Sequence, residues 1–180
     1  MIDRKNYNAA EGISGVIRRF DWARVVICRI EVEGVPIQPF DDFVSLLRSA
    51  FVEIGTSVSL TVNELSETDQ NIVVGANALY LVPAATRITI PPNSIIVNLE
   101  QIRSESLWVN DDYIELLRNH FVWDYDQQNI DRLKSCFNVS NIALLRIGHS
   151  KTTQRLNAVF NQDIDVIFYG HLSPRREFIL

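Results

Sequence analysis

Short apolar runs without polar alternation recur along the first 150 residues. They fall at 25–32 (VVICRIEV), 58–62 (VSLTV), 71–75 (NIVVG), 94–99 (SIIVNL) and 142–147 (IALLRI). Runs of this length, rich in Val and Ile, predict strands buried on both faces, as in a parallel sheet. A briefer one at Val122-Trp123 predicts a very short strand ending at Asp124-Tyr125. Between them the period becomes helical. Phe43, Leu46, Leu47, Ala50, Phe51 and Ile54 share one face of a helix that Asp41 or Asp42 caps and Gly55 ends. Tyr113, Leu116, Leu117 and Phe121 mark a second helix, capped by Asp111 or Asp112 and running through His120. Ile130, Leu133 and Cys136 mark a third over 127–137, and 78–83 reads as a short helix.

Strand and helix thus alternate, which predicts an α/β domain over residues 23–150: a three-layer fold with a mostly parallel sheet covered on both faces. Residues 1–22 read as an N-terminal arm and 151–162 as a polar linker. The last segment, 163–180, starts a new pattern. Val166-Ile167-Phe168-Tyr169 is an apolar run, Gly170-His171 a turn, and Ser173-Pro174-Arg175-Arg176 a helix start. This predicts the first strand and helix start of an incomplete second domain. A strand without neighbours exposes both apolar side chains and backbone groups, so 166–169 is expected to fold back on the first domain or to pair with its copy in a homodimer.

Composition narrows the partners. The chain has 180 residues, 47% apolar and 22% charged, with a formal net charge of −5. An acidic balance argues against nonspecific nucleic-acid binding, which needs a basic stripe. No stretch reaches the length of a membrane span and the N-terminus has no apolar signal region. Cys28 and Cys136 lack metal-ligand spacing, so both are expected to be buried free thiols of a cytoplasmic protein.

The chemistry lies where strands end. Ligands of open parallel sheets bind outside the carboxyl ends of the strands. Here those ends read Gly75-Ala76-Asn77, Glu100-Gln101, Asp124-Tyr125 and Gly148-His149. Glu100 suits a general base or the acceptor of a sugar hydroxyl's hydrogen bond; it would equally cap a helix or pair with Arg103. Asp124 suits a substrate-orienting group or the cap of the helix starting near Gln127. His149, of the side-chain type that ordinarily titrates near neutrality, suits a base, or an exposed loop position. Gly75 and Gly148 suit tight turns or close approach of a ligand. Gly75-Ala76-Asn77 lacks the three spaced glycines of a dinucleotide fingerprint, which leaves an oxidoreductase without support.

Taken in order, Asn98-Leu99-Glu100-Gln101, Val122-Trp123-Asp124-Tyr125 with Asn129, Arg146-Ile147-Gly148-His149, and Asp165 to Gly170 with Arg175-Arg176 form a pattern. It resembles that of glycosyltransferase-like proteins of the two-Rossmann (GT-B) type, over about residues 70–180. The chain departs from it at His149, where tyrosine is commoner, and at Asp126, where serine is. The resemblance implies a Rossmann-like acceptor-side domain and the start of a donor-side domain. It implies a nucleotide sugar as donor, a carbohydrate or other hydroxyl compound as acceptor, and no cofactor or essential metal. Glu100 and His149 would be the catalytic candidates. Gly75, Asn77, Gln101, Asp124, Tyr125 and Gly148 would bind substrate, and Gly170, Arg175 and Arg176 would face the donor phosphates. Residues 1–180 alone are expected to transfer no sugar. The alternative is a noncatalytic Rossmann-like binding or assembly protein that needs a partner chain.

Overall fold

The computed structural model describes residues 22–35, 40–103, 106 and 108–148. His149, Gly170, Arg175, Arg176 and the 166–169 segment lie outside the described residues. Among the described residues six strands form one all-parallel sheet: β1 (Arg24–Arg29), β2 (Ser57–Val62), β3 (Gln70–Val74), β4 (Ile95–Asn98), β5 (Phe121–Asp124) and β6 (Ile142–Leu144). Their order is β2-β1-β3-β4-β5-β6. One described strand lies outside β1, so the sequence of strands is 2-1-3-4-5-6 rather than 3-2-1-4-5-6. The direction of winding reverses between β1 and β3.

The reversal distributes the helices. Right-handed crossovers that run in opposite directions along a sheet cover opposite faces. Helix α1 (Asp41–Glu53) links β1 to β2 and packs Val44, Leu47 and Phe51 against Val25, Ile27, Ile72, Val74, Ile95 and Val97. Helices α2 (Asp111–Asn119) and α3 (Gln127–Phe137) follow β4 and β5 and cover the other face. There Tyr113, Ile114, Leu117 and Leu133 meet Cys28, Val73, Ile96 and Val122. The result is the expected three-layer Rossmann-like arrangement. The β2–β3 connection, 63–69, crosses β1 without a helix, and Leu65 packs into the α2–α3 layer.

Several local expectations are corrected. Neither Asp41 nor Asp42 caps α1; both sit in its first turn, where the helix dipole favours acids, and Phe40 holds the cap position without a side-chain bond. Asn110, not Asp111 or Asp112, caps α2 by accepting from the Tyr113 N–H at 2.9 Å. Asp126, not Asp124, caps α3 by accepting from the Gln128 N–H. β1 stops at Arg29 and β6 at Leu144, earlier than their apolar runs. Cys28 is buried as expected, whereas Cys136 is exposed on α3; both are free thiols. No helix among the described residues is long and apolar enough to cross a membrane.

Candidate functional site

The carboxyl ends of β3, β4 and β5 converge on one hydrogen-bonded group. Asn98 closes β4 and Asp124 closes β5, paired across the ladder and fully buried. The Asn98 Nδ2 donates to Asp124 Oδ2 at 2.6 Å and to the Glu100 carbonyl at 3.0 Å. Tyr113, on the buried face of α2, donates its hydroxyl to Asn98 Oδ1 at 2.9 Å, and the Glu100 carbonyl, which can only accept, fixes which way that amide points. Asn129, in the first turn of α3, donates to the same Glu100 carbonyl at 2.9 Å and to Asp124 Oδ1 at 3.2 Å. Its own Oδ1 accepts the Ile102 N–H at 3.0 Å. The Asp126 N–H completes the set on Asp124 Oδ1 at 2.8 Å. The bend after β4 is therefore gripped from two strands and two helices.

On this platform the Glu100 side chain stands half-buried. Its partner is Asn77, whose Nδ2 donates to Oε1 at 3.2 Å, rather than Arg103. Asn77 reaches it because Gly75, at φ +79°, turns the chain sharply after β3 into the 3₁₀ segment Ala76–Leu81. A Cβ at Gly75 would meet the Ile30 carbonyl and the Phe40 ring at 3.5 Å, an ordinary contact. The cost of Gly75→Ala is therefore backbone strain alone, about 1–2 kcal/mol for a left-handed residue. Urea denaturation should read that loss.

Electrostatics follow from burial. Burial pushes the Glu100 carboxyl above the ordinary carboxylate range, and the Asn77 hydrogen bond opposes this. Asn77→Ala should therefore move the Glu100 titration higher still, read from its side-chain carbon shift by NMR. The folded chain holds this proton more tightly than the unfolded chain does. Its contribution to stability is complete below the ordinary carboxylate range and is lost as pH rises through the raised folded value. Glu100→Gln should remove that part of the pH dependence of unfolding. Burial also raises Asp124, against the donors from Asn98, Asp126 and Asn129. Tyr113 is held well above the phenol range by burial and by the nearby Glu100 and Asp124 charges, so it stays a donor. Tyr125 is raised by burial, then by Asp124, Asp126 and Glu100, while a side-chain hydrogen bond with Gln101 opposes the shift.

Glu100 opens on a cleft of about 530 Å³ lined by Leu99, Gln101, Arg103, Ser106 and Tyr125. Asn77, Glu100, Gln101, Asp124 and Tyr125, proposed from separate strand ends, thus belong to one neighbourhood. Their roles divide: Glu100, Gln101 and Tyr125 face the cleft, while both carboxylate oxygens of buried Asp124 are taken by neighbouring donors. Gly148 lines a different cleft, of about 240 Å³, with Phe43, Leu46, Leu47, Ala50 and Glu53 of α1. Asn98 and Asn129 entered the sequence reading only as parts of a motif, and Tyr113 only as a core position of its helix. Arg103 and Ser106 carried no signal of a cleft. Among the described residues no group of three or more His, Cys, Asp or Glu is placed to hold a metal ion. No protein-family model, no curated protein and no solved structure matches the chain.

Proposed function

We propose that this chain is the acceptor-side domain of a glycosyltransferase of the two-Rossmann type, which takes a nucleotide sugar as donor and binds a hydroxyl-bearing acceptor in the Glu100 cleft. The observation that carries the reading is the Glu100 carboxylate: half-buried, held by Asn77, and presented over a cleft at the carboxyl edge of a parallel sheet. The motif residues support it. Asn98 and Glu100 come from one stretch of sequence, Asp124 and Asn129 from another, and all four meet in one network. In the proposed step the acceptor oxygen bonds to the anomeric carbon while the bond from that carbon to the nucleoside diphosphate breaks. The diphosphate leaves with the electron pair, and Glu100 takes the hydroxyl proton. A carboxylate raised by burial holds that proton better than an ordinary one. Gln101, Arg103, Ser106 and Tyr125 offer an amide, a guanidinium and two hydroxyls to the remaining sugar hydroxyls. His149, Gly170, Arg175 and Arg176 enter the proposal on sequence alone.

The test is a titration of the isotopically labelled chain with a panel of mono- and disaccharides, followed by NMR. The expected shifts are confined to Gln101, Arg103, Ser106, Tyr125 and their neighbours. No response to any saccharide, or a response only elsewhere on the molecule, overturns the reading.

A further inference from the structure

The Glu100 cleft carries a second charged group, Arg103, which lines it and is exposed. Most described arginines hold an acceptor. Arg24, Arg29, Arg87 and Arg118 pair with carboxylates, and Arg132 donates to the Ile102 carbonyl. The side chains of Arg48, Arg103 and Arg146 hold none among the described residues, and of these Arg103 alone lines this cleft. Its backbone, by contrast, is gripped. Ile102, just before it, is buried; its N–H donates to Asn129 Oδ1 at 3.0 Å and its carbonyl accepts from Arg132 Nη1 at 2.6 Å. The Arg103 carbonyl accepts the Ser106 N–H at 3.3 Å, which turns the chain and keeps Ser106 in the same cleft. The guanidinium therefore extends on its own stem from a fixed point. The groups beside it are matched within the protein: Glu100 holds Asn77, and Tyr125 bonds with Gln101. Glu100 and Arg103 share the cleft without forming an ion pair.

We propose that the compound bound in the Glu100 cleft is an acidic sugar: one of its hydroxyls meets Glu100, and its anionic group, a carboxylate or a phosphate monoester, is forked by Arg103. The inference rests on the reading of this cleft as an acceptor site and adds the substrate class. A ligand with both groups satisfies both charges of the cleft. A neutral sugar leaves the guanidinium to water, and a bare anion meets the Glu100 carboxylate with no hydroxyl to offer it. The chain as a whole carries −5, so its surface at large does not gather anions, and only a local cation would hold one. The planar fork of a guanidinium matches carboxylate and phosphate alike, which is why the two are distinguished by experiment.

NMR titration of the labelled chain should compare neutral hexoses with their uronates and their phosphate monoesters, at one pH and ionic strength. One acidic class is expected to bind about tenfold to a hundredfold more tightly than the neutral hexoses, the worth of hydrogen bonds between charged groups. Which class it is tells carboxylate from phosphate. The preference should shrink as salt is raised. Arg103→Gln should bring the ratio of acidic to neutral affinity to about one, with unchanged circular dichroism because the side chain is exposed. Arg103→Lys keeps the charge and loses the fork, so its ratio should fall between the two. Equal affinity for neutral and acidic sugars overturns the inference and leaves the acceptor reading standing. So does a preference that survives Arg103→Gln, or acetate that binds as tightly as a uronate. If no saccharide, neutral or acidic, shifts any residue of the cleft, the acceptor reading falls and the inference falls with it.

Discussion

Asp124→Ala is expected to lower the unfolding free energy by about 3 kcal/mol, the loss typical of removing one partner from a buried charged network. The donors that face Asp124 explain the size. The Asp126 N–H loses its acceptor outright. The amides of Asn98 and Asn129 each keep one bond, to the Glu100 carbonyl, and lose the other. Asp124→Asn should cost less. It keeps the volume and one acceptor oxygen, and it removes a carboxylate that burial disfavours. Its new amino group must still face a donor: turned toward Oδ2 it meets the Asn98 Nδ2, and Asn98 cannot flip without setting its oxygen against the Glu100 carbonyl. Urea denaturation of the two variants beside the wild type measures both losses. Equal stability of Asp124→Ala and wild type would show that the network does not hold the bend after β4.

Saccharide affinity is expected to fall by roughly tenfold to a hundredfold in Glu100→Ala, the worth of a hydrogen bond to a charged group. An ionised carboxylate accepts from two hydroxyls, and a protonated one must donate in one direction. Because burial raises Glu100, wild-type affinity should decline as pH falls through a value above the ordinary carboxylate range. Glu100→Gln, which cannot titrate, should bind weakly and without that pH dependence. Calorimetric titrations across the mildly acid range measure both. A wild type whose affinity is flat over this range, or that declines only within the ordinary carboxylate range, would remove Glu100 from the binding role.

The strands were legible because burial on both faces writes an unbroken apolar run, and Ile95, Ile96 and Val97 are all buried as their sequence suggests. Their ends were less so. Apolar residues continue past β1 because Ile30 still packs into the core after the ladder stops. Beyond β6, the Leu145 N–H donates to the Asp124 carbonyl at 2.7 Å, but 146–148 turns to solvent. Caps were misplaced because pairs of acids suit a first turn as well as a cap, and the residue just before them goes unnoticed. Glu100 was legible from its place after a strand. Tyr113 was not: a tyrosine on an apolar helix face reads as packing, and its hydroxyl bonds to a residue 15 positions earlier in the chain.

The strand order also bears on how the chain builds itself as it leaves the ribosome. In the order of synthesis β1 and β2 can pair first; β3 can then join the free side of β1, and β4, β5 and β6 can each extend the edge left by the strand before. No described strand has to be inserted between two that are already paired, so the described sheet can grow in the direction of synthesis. Asn98 and Glu100 emerge well before Asp124 and Asn129, so the carboxylate of the cleft waits with its backbone ungripped until β5 and α3 arrive. Stalling synthesis between β4 and β5 would leave the α1 face of the sheet covered, the opposite face without Val122 and Leu133, and the site unformed.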